Sequence, residues 1–190
     1  PVPLVVLGLG SFARQELGPT SDLDLIAIVE EAHGQPRAEE YMQRVVKVLD
    51  RWKRVGLPTL FDFRLRPEGG KGLLAPTMDG FGGYLRDDAA TWEKFALYEP
   101  AIFGSDKGVR EAEHLLAGFG TKTTESELAE LLSMKSRIEN ERVKPELADR
   151  DLKLGPGGLG DIEWLLRLRR MMGVDLSLAE QAELTTALRE

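Results

Sequence analysis

Two short stretches constrain this chain more than anything else in it, because each alternates charged and apolar residues at the period of a β-strand. In Ser21-Asp22-Leu23-Asp24-Leu25-Ile26, successive side chains alternate between the two faces of a strand. Asp22 and Asp24 therefore project together, while Leu23 and Leu25 face the opposite side. In Leu60-Phe61-Asp62-Phe63-Arg64-Leu65-Arg66 the same rule puts Asp62, Arg64 and Arg66 on one face. Phe61, Phe63 and Leu65 make up the other, which reads as core. A chain with this pattern needs a sheet that buries one side and concentrates acids and guanidiniums on the other.

Carboxylates a strand period apart repel one another, and a divalent cation between them removes that cost. Mg²⁺ (or Mn²⁺) suits the arrangement, since it takes one or two carboxylates and completes its shell with water and substrate phosphates. A bare Asp-x-Asp is equally compatible with an exposed edge strand or a capped turn, and Asp62–Arg64 with a surface ion pair of little energetic weight. The combination is more informative than either part. Gly10-Ser11 follows an apolar strand and opens a helix, where backbone amides form an anion site. Three acids, two arginines and such a turn suit a triphosphate held by two metal ions.

The rest of the chain supplies the frame. Leu4 to Leu7 reads as a buried strand, Ser11 to Leu17 as a short helix ended by Gly18-Pro19, and Asp22 to Val29 as a second strand. Glu39 to Arg54 places Tyr41, Val45, Val48, Leu49 and Trp52 on one helical stripe. Thr59 to Arg66 is expected as a third strand, and Glu68 to Gly72 as an irregular glycine-rich loop. Helices are expected over Met78–Leu85, Ala89–Tyr98, Gly108–Leu116, Glu125 to about Val143, and Leu159–Met172, with a strand at Ala101–Phe103. The expected class is α+β: a small mixed sheet flanked by helices over residues 1–105, followed by a helical extension over 106–190 with a glycine-rich turn at 155–158. A further helix is expected from Leu178. The abrupt ends, a strand within three residues of Pro1 and a helix running into Glu190, suggest a piece of a longer protein truncated at its C-terminus.

Gly8-Leu9-Gly10-Ser11-Phe12-Ala13 also satisfies the dinucleotide-binding pattern, with Glu30 and Glu31 about 20 residues on, where a ribose-binding carboxylate belongs. That reading requires a crossover helix of a dozen or more residues, and Gly18-Pro19 interrupts this one after about two turns. The strand that follows also opens on two carboxylates, which a buried parallel strand does not tolerate without a reason.

Composition narrows the chemistry. The chain has 190 residues, a net charge of -7 and no cysteine, so thiol chemistry and thiolate zinc sites are excluded. The acid excess and the lack of a basic aromatic stripe disfavour a nucleic-acid partner. No apolar run reaches the roughly 20 residues of a membrane span, and a cytoplasmic location is the natural reading. His33 and His114 lie far from every motif and read as surface residues.

Gly10-Ser11, Asp22-x-Asp24 and Asp62 in this order resemble the DNA polymerase beta-like nucleotidyltransferase superfamily. Adding Arg64-Leu65-Arg66-Pro67, Thr91-Trp92-Glu93-Lys94-Phe95-Ala96-Leu97 and Gly155-Pro156-Gly157-Gly158-Leu159-Gly160-Asp161-Ile162-Glu163, the chain is similar to glutamine synthetase adenylyltransferase over nearly its whole length. It departs from that family's usual pattern at Gly10-Ser11-Phe12-Ala13 and at Gly160. The resemblance implies a polymerase beta-like core that transfers AMP from ATP to a tyrosine of glutamine synthetase, or removes it with phosphate, in regulating nitrogen assimilation. It implies that Asp22 and Asp24 hold two Mg²⁺ ions, that Asp62 completes the site for the metal that activates the nucleophile, and that Gly10, Ser11, Arg64 and Arg66 bind phosphate or the target. The PII signalling protein is an expected partner of a full-length enzyme. With a single Asp-x-Asp set, the chain is one half of such an enzyme or a stand-alone relative. Protein-PII uridylyltransferase shares several of these elements and is the alternative family. A catalytically silent regulatory module is the alternative class, and an intact acid set argues against it. Asp161 and Glu163 admit two readings, acids favourable to a helix N-terminus or a substrate-side role beside Gly157-Gly158.

Overall fold

The computed structural model describes residues 2–18, 21–56, 61–118, 123–143 and 150–173. The chain divides into two compact units, 1–119 and 120–190.

The first unit is built on a four-stranded sheet ordered β3-β2-β1-β4. Its strands are β1 (Leu4–Gly8), β2 (Leu23–Val29), β3 (Phe61–Asp62) and β4 (Ala101–Phe103). β1 pairs antiparallel with both β2 and β4, whereas β2 and β3 run parallel. Parallel neighbours need a crossover, and α2 (Gln35–Arg54) supplies it. The antiparallel β1–β2 pair rules out the dinucleotide-binding reading, which requires those two strands to be parallel. Glu30, the candidate ribose ligand in that reading, instead accepts hydrogen bonds from the Ser105 hydroxyl (2.7 Å) and amide (3.2 Å).

Both faces of the sheet are covered. Val5, Leu7, Ile26 and Ile28 pack with Phe81 and Leu85 of α3 (Met78–Asp87) and Ala112 of α5 (Asp106–Ala117). Ala27 and Val29, one residue out of phase on β2, pack with Ala38 and Met42 of α2. Burial from both sides explains why Leu25 to Val29 is a continuous apolar run rather than an alternating one. Polar caps fix the helix starts: the Thr77 hydroxyl accepts from the Gly80 amide and the Ser105 hydroxyl from the Gly108 amide. Gly108 has no room for a side chain, because an added Cβ would lie 2.5 Å from Val5 and 2.6 Å from Glu30. α5 therefore belongs to the first unit, and the sheet-bearing unit runs past the boundary at 105 expected from sequence. α4 (Thr91–Ala96) opens with the Glu93 carboxylate accepting the Ala90 amide, 2.9 Å away.

Three local expectations are corrected. α1 spans only Gly10–Ala13 and stops short of Leu17, because Gln15 takes a left-handed conformation (φ 59°) that a helix cannot continue. On α2 the buried stripe is Ala38 and Met42, while Tyr41, Val48 and Trp52 of the expected stripe are exposed. The third strand is two residues long rather than running to Arg66, and the glycine-rich loop contains one 3-10 turn, Gly69–Lys71. Residues 59 and 60 of that expected strand lie outside the described residues.

The second unit contains α6 (Glu125–Arg142) and α7 (Leu159–Met171). Thr124 and Glu127 form a capping box at the start of α6. The helix expected from Leu178 lies outside the described residues. Among the described residues no helix is long and apolar enough to cross a membrane.

Candidate nucleotidyltransferase site

The site is a consequence of strand register. Asp24 on β2 is the direct partner of Asp62 on β3, and Leu23 is the partner of Phe61. Partners on adjacent parallel strands project to the same face, so Asp24 and Asp62 stand side by side. Asp22, two residues before Asp24 at the entry to β2, shares that face. Further along β2 the same face carries Ile26 and Ile28, which the helical layer covers. One face of one strand therefore changes from acidic to core within four residues. The three acids expected from sequence are brought to one end of one sheet face.

Gly10 lies over this end. Its φ of +57° is left-handed, and a Cβ added there would come 3.5 Å from Oδ2 of Asp24. The chain also closes between β1 and β2 through the Leu9 amide, which donates to the Asp24 carbonyl at 2.9 Å. The Gly10-Ser11 turn and Asp24 are thus held together by backbone, not by flexible side chains. Phe12 of the same turn covers Gly8, where a Cβ would lie 2.3 Å from the ring, and stacks on Phe103 at 5.8 Å between centroids.

Arg64 reaches the acids and Arg66 does not. The Arg64 amide donates to Oδ1 of Asp62 at 2.8 Å. Its Nε donates to Oδ1 at 2.9 Å and to Oδ2 at 2.8 Å, and its Nη2 also bonds Oδ2. This grip holds the Asp62 carboxyl below its ordinary range. The same hydrogen bonds raise Arg64, and the charges of Asp22 and Asp24 add to the effect. Arg64 therefore binds Asp62 directly and feels the charges of Asp22 and Asp24 from a distance. Arg66, expected beside the phosphates, is buried. Its guanidinium donates to the carbonyls of Phe63 (2.7 Å), Gly70 (3.1 Å) and Gly72 (3.1 Å). It is a loop clamp, and burial pulls it below the usual arginine range. The turn that delivers Arg66 to those carbonyls is also what ends β3 after Asp62.

Beside the acids, a groove of about 380 Å³ lies between α2 and the edge strand β3. Asp22, Asp62, Phe61 and Phe63 line it, together with Val46, Leu49 and Lys53 of α2. Sequence periodicity missed this wall, because Val46 is off the stripe assigned to the core. Among the described residues no three acids or histidines are gathered around one point as a metal cluster. The donor set nonetheless fits Mg²⁺, which needs only one or two carboxylates before phosphate and water complete its shell.

Asp161 has a local role in the second unit. Its Oδ2 accepts the Gly157 amide at 2.8 Å, and its Oδ1 pairs with Lys135 of α6 at 2.7 Å. Burial works against the charge on Asp161, but Lys135 and the Gly157 amide together outweigh it and hold the carboxyl low. The acid ties the glycine-rich turn to α6. His33 is exposed beside Glu31, and His114 lies on the surface of α5.

The family model described as glutamate-ammonia ligase adenylyltransferase matches residues 1–115. A bifunctional glutamine synthetase adenylyltransferase/adenylyl-removing enzyme of Streptomyces coelicolor is 33% identical over 186 residues, covering 90% of this chain and 18% of the relative. The protein of that name from Mannheimia succiniciproducens is 31% identical over 205 residues, covering 98% of this chain and 21% of its own length. That from Mesorhizobium japonicum is 33% identical over 184 residues, covering 88% and 18%. The chain thus spans about a fifth of the length of these curated relatives.

Proposed function

This chain belongs to the glutamate-ammonia ligase adenylyltransferase family, and on that premise we propose that it is a metal-dependent nucleotidyltransferase unit acting on a tyrosine of glutamine synthetase. The observation that carries the proposal is the pairing of Asp24 with Asp62 across β2 and β3, with Asp22 on the same face. The same register supports reading the sheet as a polymerase beta-like core.

In the adenylylating direction the tyrosine oxygen attacks the α-phosphorus of ATP in line. The new O–P bond forms as the bond to the pyrophosphate oxygen breaks, and pyrophosphate leaves. In the removing direction an oxygen of inorganic phosphate attacks the same phosphorus, and ADP leaves the tyrosine. Asp22, Asp24 and Asp62 would hold Mg²⁺ or Mn²⁺, which supplies charge neutralisation at the phosphates and lowers the pKa of the attacking hydroxyl. Asp62 would also accept the proton of that hydroxyl. Gly10 lets the backbone approach the phosphates without a side chain in the way, and the Ser11 amide and hydroxyl can donate to them. Arg64 is exposed and long enough to turn from Asp62 to a phosphate oxygen, exchanging one anion for another. The PII signalling protein, as a partner of the longer proteins, and a cytoplasmic location belong to the same reading.

The test is transfer of label. ATP labelled at the α-phosphate is incubated with this chain, Mg²⁺ and glutamine synthetase, and adenylylated glutamine synthetase is incubated in parallel with inorganic phosphate. Label on the protein, or ADP released from it, is expected, with either product absent for Asp24→Asn. If neither reaction occurs, and Mg²⁺-dependent ATP binding is absent too, the proposal fails.

A further inference from the structure

α2 packs on the sheet through Ala38 and Met42 and turns its longest apolar stripe outward. Tyr41, Val45, Val48, Trp52 and Val55, the C-cap, follow one another at steps of four, three, four and three residues. That is the spacing of a coiled-coil seam, in which each apolar residue inserts between side chains of a facing helix. Tyr41, Val48, Trp52 and Val55 are 45–70% exposed, and Val45 is half-buried. Single exposed apolar residues are ordinary, but five in one line with a polar border mark a surface that another molecule covers.

The border says what kind of molecule. Arg37, Arg44 and Arg51 recur every seven residues along one edge of the stripe, with Lys47 and Arg54 one step further round the helix. All five are exposed. α2 carries six basic residues against three acidic ones in a chain whose net charge is -7, so this face draws anionic partners locally. Its acids are otherwise engaged: Glu39 accepts the Ala75 amide, Glu40 pairs with Arg44, and Asp50 lines the groove beside Asp62. Among the described residues no ion pair engages Arg37, Lys47, Arg51 or Arg54.

We propose that the outward stripe of α2 with its arginine border is a docking surface for an acidic amphipathic helix of a partner protein. The apolar seam would supply the contact area, with Trp52, Tyr41 and Arg51 of the residue types that dominate interface energies. The arginines would meet carboxylates flanking the partner's own seam. A second copy of this chain would bring the same arginines and no free acids to meet them. A lipid surface has no side-chain register for the seven-residue repeat to match. None of the five stripe residues lines the groove beside Asp22 and Asp62, so the surface is separate from the acid site and does not depend on the nucleotidyltransferase reading.

The experiment titrates this chain into two fluorescein-labelled synthetic helices of three heptads, both with leucine at the seam, one flanked by glutamates and the other by lysines. Fluorescence anisotropy is expected to show the glutamate helix bound at least about tenfold more tightly than the lysine helix. Val48→Asp and Trp52→Asp should each weaken the glutamate helix at least about tenfold. Arg37→Glu combined with Arg51→Glu, which leaves the Glu40–Arg44 pair intact, should reverse the preference. These positions are exposed, so the variants should keep the wild-type melting temperature to within a few degrees and the same affinity for Mg²⁺-ATP. The proposal is overturned if neither helix binds, if both bind alike, or if Val48→Asp binds as tightly as wild type. It is overturned equally if sedimentation shows the chain pairing with itself through the stripe, or if anionic phospholipid vesicles bind it and the glutamate helix does not.

Discussion

Asp24 and Asp62 are register partners on adjacent parallel strands, so two carboxylates from segments on either side of α2 stand together without any contact between their own segments in sequence. Like charges so placed repel one another, and Arg64 offsets part of that repulsion. Asp22→Asn and Asp24→Asn should therefore leave the melting temperature unchanged or raised. Nucleotidyl transfer should fall at least about a hundredfold, equivalent to about 2.7 kcal/mol of barrier. Thermal melts and label transfer on the same preparations read the two effects separately.

Asp62→Asn should behave differently from the other two. The Arg64 grip keeps the Asp62 carboxyl low, so its contribution to stability is present above the ordinary aspartate value of 3.8 and is lost as pH falls through the lower folded value. Because Arg64 is largely exposed, that contribution should not exceed about 1 kcal/mol. Melting temperature measured against pH should show wild type above Asp62→Asn at neutral pH and the two converging in acid.

The two arginines should separate function from folding. Arg66→Lys loses the fork that reaches three carbonyls and should destabilise by about 1–3 kcal/mol, with ATP affinity per folded molecule unchanged. Arg64→Ala should do the reverse: a small change in urea midpoint and a clear loss of affinity for Mg²⁺-ATP.

At Gly10 the backbone is left-handed, so Gly10→Ala should cost about 1–2 kcal/mol from conformation alone. The methyl group would also meet Asp24 at the phosphate side, so nucleotide affinity should fall along with stability in a denaturant titration with and without Mg²⁺-ATP.

Much of this was legible in the residues. The alternation in Asp22–Leu25 marks β2 and its acid face, and Gly10-Ser11 after an apolar strand marks the turn above it. The order of helices from Met78 to Leu159 was legible too, and Ser105 and Thr124 cap two of them. The end of β3 was not legible. Phe63 to Arg66 continues the alternation, and only the fold shows that Arg66 has carbonyls at Phe63, Gly70 and Gly72 to reach. Nor does periodicity reveal which stripe of α2 is inward, because Tyr41, Val48 and Trp52 are as apolar as Ala38 and Met42. Packing under β2 selects the smaller pair. The groove residue Val46 was hidden for the same reason, whereas Leu49 lay on the expected stripe.

Calorimetry of ATP binding, run in Mg²⁺ and again in EDTA on wild type and Asp24→Asn, tests the acid face most directly. Binding is expected for wild type in Mg²⁺ only, because bare carboxylates repel the triphosphate, and it should be lost in Asp24→Asn. Equal affinity in EDTA, or full affinity in Asp24→Asn, would contradict a metal-dependent nucleotide site built on Asp22, Asp24 and Asp62.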